Sequence, residues 1–242
     1  MKRVLIAACA LSLMASFSFA GDAAAFSDIG FSEDGRTYIF GEYGKTDLSF
    51  QAYAEIYAVD VAANDFVSGG VFATKPSSAT TEVSGRKAFD ALLKKNASSL
   101  GRFKCSPVSP RNLLYIRNVP DGKVTKPEGS AVSDRIVFQD FERSSDDTDV
   151  FFKIQLRQTV KGRGKNVSSS YYIDMRMEDQ HGKLLGSWKV GNPQYERKGV
   201  SSYQIEKIFT DPSGKSVVFV IQKTVEDESG TSIRYMVETV RI

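Results

Sequence analysis

The chain reads as a mainly β protein, with antiparallel sheets in a sandwich or barrel-like arrangement, propeller-like hairpins and one bracing α-helix at about 83–100. Three observations carry that reading. Apolar and polar residues alternate along much of the sequence, the pattern of strands with one buried and one wet face. Residues 217–221, Val-Val-Phe-Val-Ile, are apolar on both faces, which requires a central strand covered on two sides and hence a second layer. Only one stretch spaces its apolar residues as a helix does.

The amino terminus reads as a secretory leader. Lys2 and Arg3, an apolar run from Val4, and Ser18-Phe19-Ala20 match the charged, apolar and small-residue parts of such a segment. Cleavage is expected between Ala20 and Gly21, leaving one β-rich domain over 21–242 in a bacterial protein that is periplasmic or secreted. Ile6-Ala7-Ala8-Cys9 resembles a lipidation box, yet too few apolar residues separate Arg3 from Cys9 for the usual core of about 7–15. No later run approaches the roughly 20 apolar residues of a spanning helix, so no transmembrane segment is expected after cleavage. The 242 residues carry 32 basic and 29 acidic side chains, two of the basic ones in the leader, and this near balance gives no support to a nucleic-acid partner. With Cys9 removed, Cys105 stands alone, so an internal disulfide is excluded and a packed, unreactive thiol is expected.

After the leader, residues 83–100 place Ala88, Phe89, Leu92, Leu93, Ala97 and Leu100 at helical spacing, with Thr81 or Ser84 as N-cap and Gly101 as the stop. Phe152, Ile154 and Leu156 alternate with Lys153, Gln155 and Arg157; Ile173, Met175 and Met177 alternate with Asp174, Arg176 and Glu178. These runs are expected to be antiparallel neighbours. Asp179-Gln180-His181-Gly182 then turns the chain into 184–190 as a hairpin. Residues 74–81, 126–134, 143–148 and 191–202, rich in Pro, Gly, Ser or charge, read as loops.

The two ends of the exported portion share a pattern. Phe31-Ser-Glu-Asp-Gly-Arg-Thr-Tyr-Ile-Phe40 parallels Phe209-Thr-Asp-Pro-Ser-Gly-Lys-Ser-Val-Val-Phe219, with one extra residue in the second, and Val61 and Val240 each follow 21 positions after the last Phe. Both copies read as strand, Gly turn, strand, excursion, strand. The first, with Ala54-Glu-Ile-Tyr-Ala-Val-Asp-Val61, resembles one blade unit of TolB-type or prolyl-peptidase-type propellers, although Glu33 replaces the proline of that pattern. A whole propeller is rejected, since four blades of four strands exceed what this chain provides. Asp28-Ile-Gly-Phe-Ser-Glu-Asp-Gly-Arg36, Phe40-Gly-Glu-Tyr-Gly44, residues 54–61 and Ile205-Glu-Lys-Ile-Phe-Thr210 together resemble a bacterial family of predicted secreted proteins, domain of unknown function 2259. That resemblance implies export and assigns no catalytic residue.

No motif with specific chemistry survives inspection. His181 is the only histidine, so a triad, a two-histidine metal site or a histidine base would all depend on it, and it falls at a hairpin tip. Gly214-Lys215-Ser216 copies the end of a phosphate loop, but Phe209 stands where its first glycine belongs and a strand follows. Glu142, Asp146, Asp147 and Asp149 lack calcium-loop spacing. No cofactor, metal or catalytic residue is therefore assigned. Two groups remain as candidate ligand contacts. Tyr38, Tyr43, Tyr53 and Tyr57, crowded with Phe40 and Phe50 in the amino-terminal hairpin, offer rings for a sugar or a protein, unless they are ordinary strand aromatics. Lys161, Arg163 and Lys165 form a basic hairpin tip fit for an anion, unless it is a solvated loop. The sequence is read as a non-enzymatic binding or interaction module whose partner is an envelope protein or glycan. The alternative is a carboxylate-dependent hydrolase acting on envelope polymer, which needs two sheltered acids in a cleft.

Overall fold

The computed structural model describes residues 20–118, 129–227 and 230–242. Its strands are β1 (Ala20–Ala23), β2 (Ala25–Phe31), β3 (Thr37–Lys45), β4 (Ala52–Asp60), β5 (Asp65–Thr74), β6 (Leu113–Ile116), β7 (Gly129–Gln139), β8 (Val150–Lys161), β9 (Ser168–Asp179), β10 (Leu184–Val190), β11 (Arg197–Lys198), β12 (Val200–Thr210), β13 (Ser216–Asp227) and β14 (Gly230–Arg241). Two helices, α1 (Gly85–Lys95) and α2 (Ala97–Gly101), lie between β5 and β6.

These elements make three sheets. An amino-terminal sheet runs β2-β3-β4-β5, a mid-chain sheet runs β10-β9-β8-β7 with β11 beside β9, and a central sheet runs β1-β14-β13-β12-β6. All pairs are antiparallel except β1 on β14. The side chains of β13 explain the stacking. Val217, Phe219 and Ile221 pack with Phe152, Ile154, Leu156 and Ile173 of the mid-chain sheet, whereas Val218 and Val220 pack with Phe31, Tyr38, Phe40 and Phe209. Each of the five is at most 1 % exposed, and burying such side chains contributes about 1.5–3 kcal/mol apiece. The expected two-sided central strand is therefore β13. The other face of the amino-terminal sheet, Ile39, Ala54, Ile56 and Ala58, takes Ala88, Phe89 and Leu92 of α1.

Local signals set most boundaries. Ser84 caps α1, its hydroxyl accepting from Lys87 N at 3.2 Å. The expected helix over 83–100 is broken at Asn96, whose side-chain amide donates to the Leu92 carbonyl at 2.9 Å and whose backbone leaves the helical region. The runs at 152–157 and 173–178 pair in register as Ile154↔Met175 and Leu156↔Ile173. Gly182, at φ 82°, turns β9 into β10 as read. Two loop expectations need correction. The segment 126–134 lies partly outside the described residues, and from Gly129 onward it is β7, held by β8 despite its Gly-Ser-Ala start. Residues 191–202 contain β11 and the start of β12, because Arg197 and Lys198 find Ser169 and Ser168 of β9 as ladder partners.

The repeated pattern is structural. Gly35 and Gly214 turn the chain with φ of 66° and 67°, and the two turns meet between the sheets, next to Phe31 and Phe209, which pack edge to face with ring centres 6.1 Å apart. The two ends of the chain thus share one core.

Candidate functional site

An open depression of about 430 Å³ lies where the turn between β2 and β3 faces the segment after α2, lined by Ser32, Glu33, Asp34, Thr37, Arg102, Phe103 and Lys104. One wall is rigid because its polar groups are satisfied within the turn. Ser32 Oγ donates to Asp34 Oδ1 at 2.7 Å and accepts from Thr37 N at 2.9 Å, while Arg36 N donates to Asp34 Oδ1 at 3.1 Å. These bonds, the Ser32 hydroxyl first, hold the Asp34 carboxyl below its usual range, so it is an anion that accepts. The other wall follows from the end of α2, where Phe103 N and Lys104 N donate to Leu100 O and Gly101 O. Lys104 takes φ 50° there, and the Arg102 guanidinium lies 4.6 Å from the Phe103 ring centre. The walls are tied together by Phe31 and Ser106, which exchange backbone hydrogen bonds of 3.0 and 2.8 Å. Gly30 is required for that approach, since a Cβ there would sit 1.8 Å from the Ser106 oxygen. Phe103, two acids and two bases thus line a space of the size that small ligands occupy.

A second polar cluster is closed. Glu42 and Glu55 stand opposite each other across β3 and β4, and Glu42 is 2 % exposed. Its carboxylate accepts from Tyr235 N of β14 at 2.6 Å. Burial, only partly offset by that bond and by Lys223, pushes its carboxyl up to about 7. Tyr57 donates its hydroxyl to Glu55. Beside them Arg234 is paired with Asp22 of β1, one guanidinium nitrogen 2.9 Å from Asp22 Oδ2, and lies 4.6 Å from the Tyr53 ring centre. The Tyr53 hydroxyl is buried with no hydrogen-bond partner among the described residues. Gly44 makes room for it, because a Cβ there would be 2.5 Å from the Tyr53 oxygen.

The candidate tyrosines are therefore spread through the interior. Tyr38 is fully buried, its hydroxyl donating to Asp28 Oδ1 at 3.0 Å, so its ring serves the core. Tyr43 lies half-buried against Phe89 of α1 with Arg86 over its ring. Tyr53 belongs to the closed cluster. Tyr57 is one member of a stack, Phe26–Phe40–Tyr57–Phe66, with ring centres 5.7, 5.0 and 5.2 Å apart; only its last ring, on edge strand β5, is exposed. Lys161, Arg163 and Lys165 are all exposed at the β8–β9 tip, Lys161 Nζ 3.4 Å from Glu196 Oε1. They lie on the mid-chain sheet, away from the tyrosines. Ala20 and Gly21, the expected cleavage junction, open β1. His181 is exposed, and Asp179 Oδ1 accepts from its backbone N–H at 2.9 Å. The Cys105 thiol is half-buried and pushed up to about 11, chiefly by burial, as a packed thiol should be. Among the described residues no group of three or more His, Cys, Asp or Glu is placed to hold a metal, and no helix is long and apolar enough to cross a membrane. Sequence reading missed the depression because its walls are some seventy residues apart; the Ser-x-Asp-Gly turn was visible, its facing partner was not.

Fold and site together define a β-rich protein of three stacked sheets and a helical layer, with an open polar depression among the described residues. Residues 39–241 match the model of a family described as predicted secreted protein, domain of unknown function 2259, and the chain belongs to that family. No curated protein matches it, and no solved structure does.

Proposed function

We propose that the protein is an exported binding module that takes a hydroxyl-rich ligand, an envelope glycan, in the depression between the β2–β3 turn and residues 102–104. The observation that carries this reading is the composition of that space: Asp34 and Glu33 can accept from hydroxyls, Arg102 and Lys104 can donate, and Phe103, partly buried with Arg102 over its ring, adds apolar lining. The hydrolase alternative requires two facing acids within reach of substrate, one retaining its proton. Those properties fall in different places. Glu42 has the raised proton affinity and is sealed beneath β14, whereas Asp34, which a ligand can reach, is held as the anion. Asp28 is also raised, first by burial, but Tyr38, Val108 and Lys207 are the groups that act on it, with no second carboxylate among them. The test is titration of the isotope-labelled exported protein with soluble peptidoglycan fragments. Amide shifts confined to 30–37 and 100–106, and lost in a Glu33→Ala, Arg102→Ala variant, are expected. Shifts elsewhere, none at millimolar fragment, or release of shorter glycans would refute the reading.

A further inference from the structure

The helical layer carries charge of one sign. Residues 83–105 hold six basic side chains and one acid, whereas the whole chain has 32 basic and 29 acidic, so everything outside this segment holds more acids than bases. All six, Arg86, Lys87, Lys94, Lys95, Arg102 and Lys104, are exposed. The acid, Asp90, pairs with Arg86 at 2.9 Å. The others have no ion pair among the described residues, Arg102 and Lys104 included, although Glu33 and Asp34 stand on the facing wall of the depression. The needs of the helix itself do not account for this. Ser84 caps α1, its Oγ accepting from Lys87 N at 3.2 Å. Ser84-Gly-Arg-Lys87 thus has the frame of a capping box, whose fourth residue is Glu or Gln reaching back to the cap N–H; here it is lysine. The first turn holds both Arg86 and Lys87 and no acid, although the positive end of the helix dipole favours anions. Lys94 and Lys95 suit the last turn, but Lys87 stands against every local preference and finds no compensating partner among the described residues.

The cations follow a line. Lys87 and Lys94, two turns and about 10 Å apart, lie on the side of α1 away from Ala88, Phe89 and Leu92, which pack on the amino-terminal sheet, and Lys95 adjoins them. After Asn96, α2 leads to Arg102 and Lys104 at the depression. A flexible chain can keep to that course and bend into the recess, which a flat bilayer cannot enter. A nucleic acid would want exposed rings for its bases, and the exposed side of α1 has none, while the Phe103 ring lies under Arg102. Lysines predominate, and a lysine is a compact, hydrated point charge without the planar fork of arginine. Such a row answers to charge repeated along a polymer more than to a single group of fixed shape.

We propose that the outer side of the helical layer is a docking track for an anionic polysaccharide, whose carboxylates run along α1 past Lys87, Lys94 and Lys95 toward Arg102 and Lys104. The inference goes beyond the fragment held in the depression and does not depend on it, since the variants that test it lie on α1 and the fragment titration tests the depression by itself. The full exported protein is mixed with fluorescently labelled polygalacturonate, and with its uncharged methyl ester, at about 0.01 M and about 1 M salt, where a charge is felt over about 30 Å and about 3 Å. Binding to the acid form at low salt, lost at high salt, and none to the ester are expected. Lys87→Glu, Lys94→Glu should weaken binding at least about tenfold, while Lys183→Glu, Lys215→Glu, an equal change of net charge at two exposed turns, should stay within about twofold of the parent. Lys87→Glu alone completes the capping box, so it should melt at or above the parent while binding less. A merely solvated helix face would give the first of those changes without the second. No binding at low salt, equal binding to the ester, equal losses in the two double variants, or tighter binding to phosphatidylglycerol vesicles or single-stranded DNA than to the polysaccharide overturns the proposal.

Discussion

The two copies of the repeated turn make the same backbone from exchanged side chains. In the first, Gly35 N donates to Ser32 O at 2.9 Å and Ser32 N to Thr37 O at 2.9 Å; in the second, Gly214 N donates to Asp211 O at 2.9 Å and Asp211 N to Ser216 O at 3.0 Å. Ser32 therefore corresponds to Asp211, and the extra residue of the second copy is Thr210, before the turn. Ser32 Oγ accepts from Thr37 N at 2.9 Å as Asp211 Oδ1 accepts from Ser216 N at 2.6 Å. The bond closing the turn also swaps its ends: Ser32 donates to Asp34 in one, Ser213 donates to Asp211 in the other. Ser-x-Asp-Gly places the carboxylate on the outside, where Asp34 lines the depression. Asp-x-Ser-Gly places it inside, where Asp211 is 2 % exposed and a Cβ on Gly35 would lie 2.7 Å from its Oδ2. One local solution has become a wall of the open depression and, with its acid and serine exchanged, a plug between sheets.

If the two copies depend on each other, removing part of one must unfold the other. Deleting 232–242 takes away most of β14, with Val237, Glu238 and Thr239, which bond or pack against Val61, Asn64 and Tyr171 of the other two sheets. Loss of the cooperative thermal transition is expected, together with fast hydrogen exchange at 36–61. A sharp transition with exchange unchanged there would show independent ends and refute the single-domain reading.

The turns themselves should differ in cost. Asp211→Ala leaves the buried Ser216 N–H without its acceptor and removes two bonds from Ser213, so a loss of about 3–4 kcal/mol is expected in urea unfolding. Ser32→Ala removes one neutral acceptor, for Thr37 N, and one donor to the exposed Asp34 carboxylate, and should cost about 1–2 kcal/mol. Equal losses would mean that burial of the second carboxylate has no structural weight.

How much of this could be read from the sequence follows the range of the interaction. Alternation at 152–157 and 173–178, the two-sided run at 217–221, the Gly182 hairpin and the repeated turn are local, and each appears where it was read. Β7 was misread because Gly129-Ser130-Ala131 has no strand character of its own and is ordered by β8. The tyrosines of 38–57 lie on strands as expected, but alternation cannot say which face meets another sheet. In β3 and β4 both faces do, one against β13 and one against α1, so Tyr38 and Tyr53 went inside. The depression escaped entirely, because Gly30 and Ser106 bring its walls together from distant parts of the chain.

A pH-dependent effect concerns the strands that follow the two turns. Counting from Thr37 and Ser216, Glu42 of β3 stands where β13 has Ile221, and both are buried. An apolar side chain accepts that place at any pH; a carboxyl accepts it best while it keeps its proton. Since burial raises the Glu42 carboxyl from 4.5 to about 7, the folded state binds that proton more tightly than the unfolded chain does. Its contribution to stability is full below about pH 4.5 and is lost as the pH rises through about 7. Other acids, among them Asp34 and Asp179, are shifted downward and act with the opposite sign, so the parent protein alone does not isolate the effect. The difference between the parent and Glu42→Gln does, because glutamine keeps an acceptor for Tyr235 N and cannot titrate. Urea unfolding of both between pH 4.5 and 7.5 should show the parent losing about 2–3 kcal/mol relative to the variant. Parallel stability curves would mean that Glu42 is ionised in the folded protein with Lys223 and Arg234 as sufficient counter-charge, and the contrast with Ile221 would then be one of shape alone.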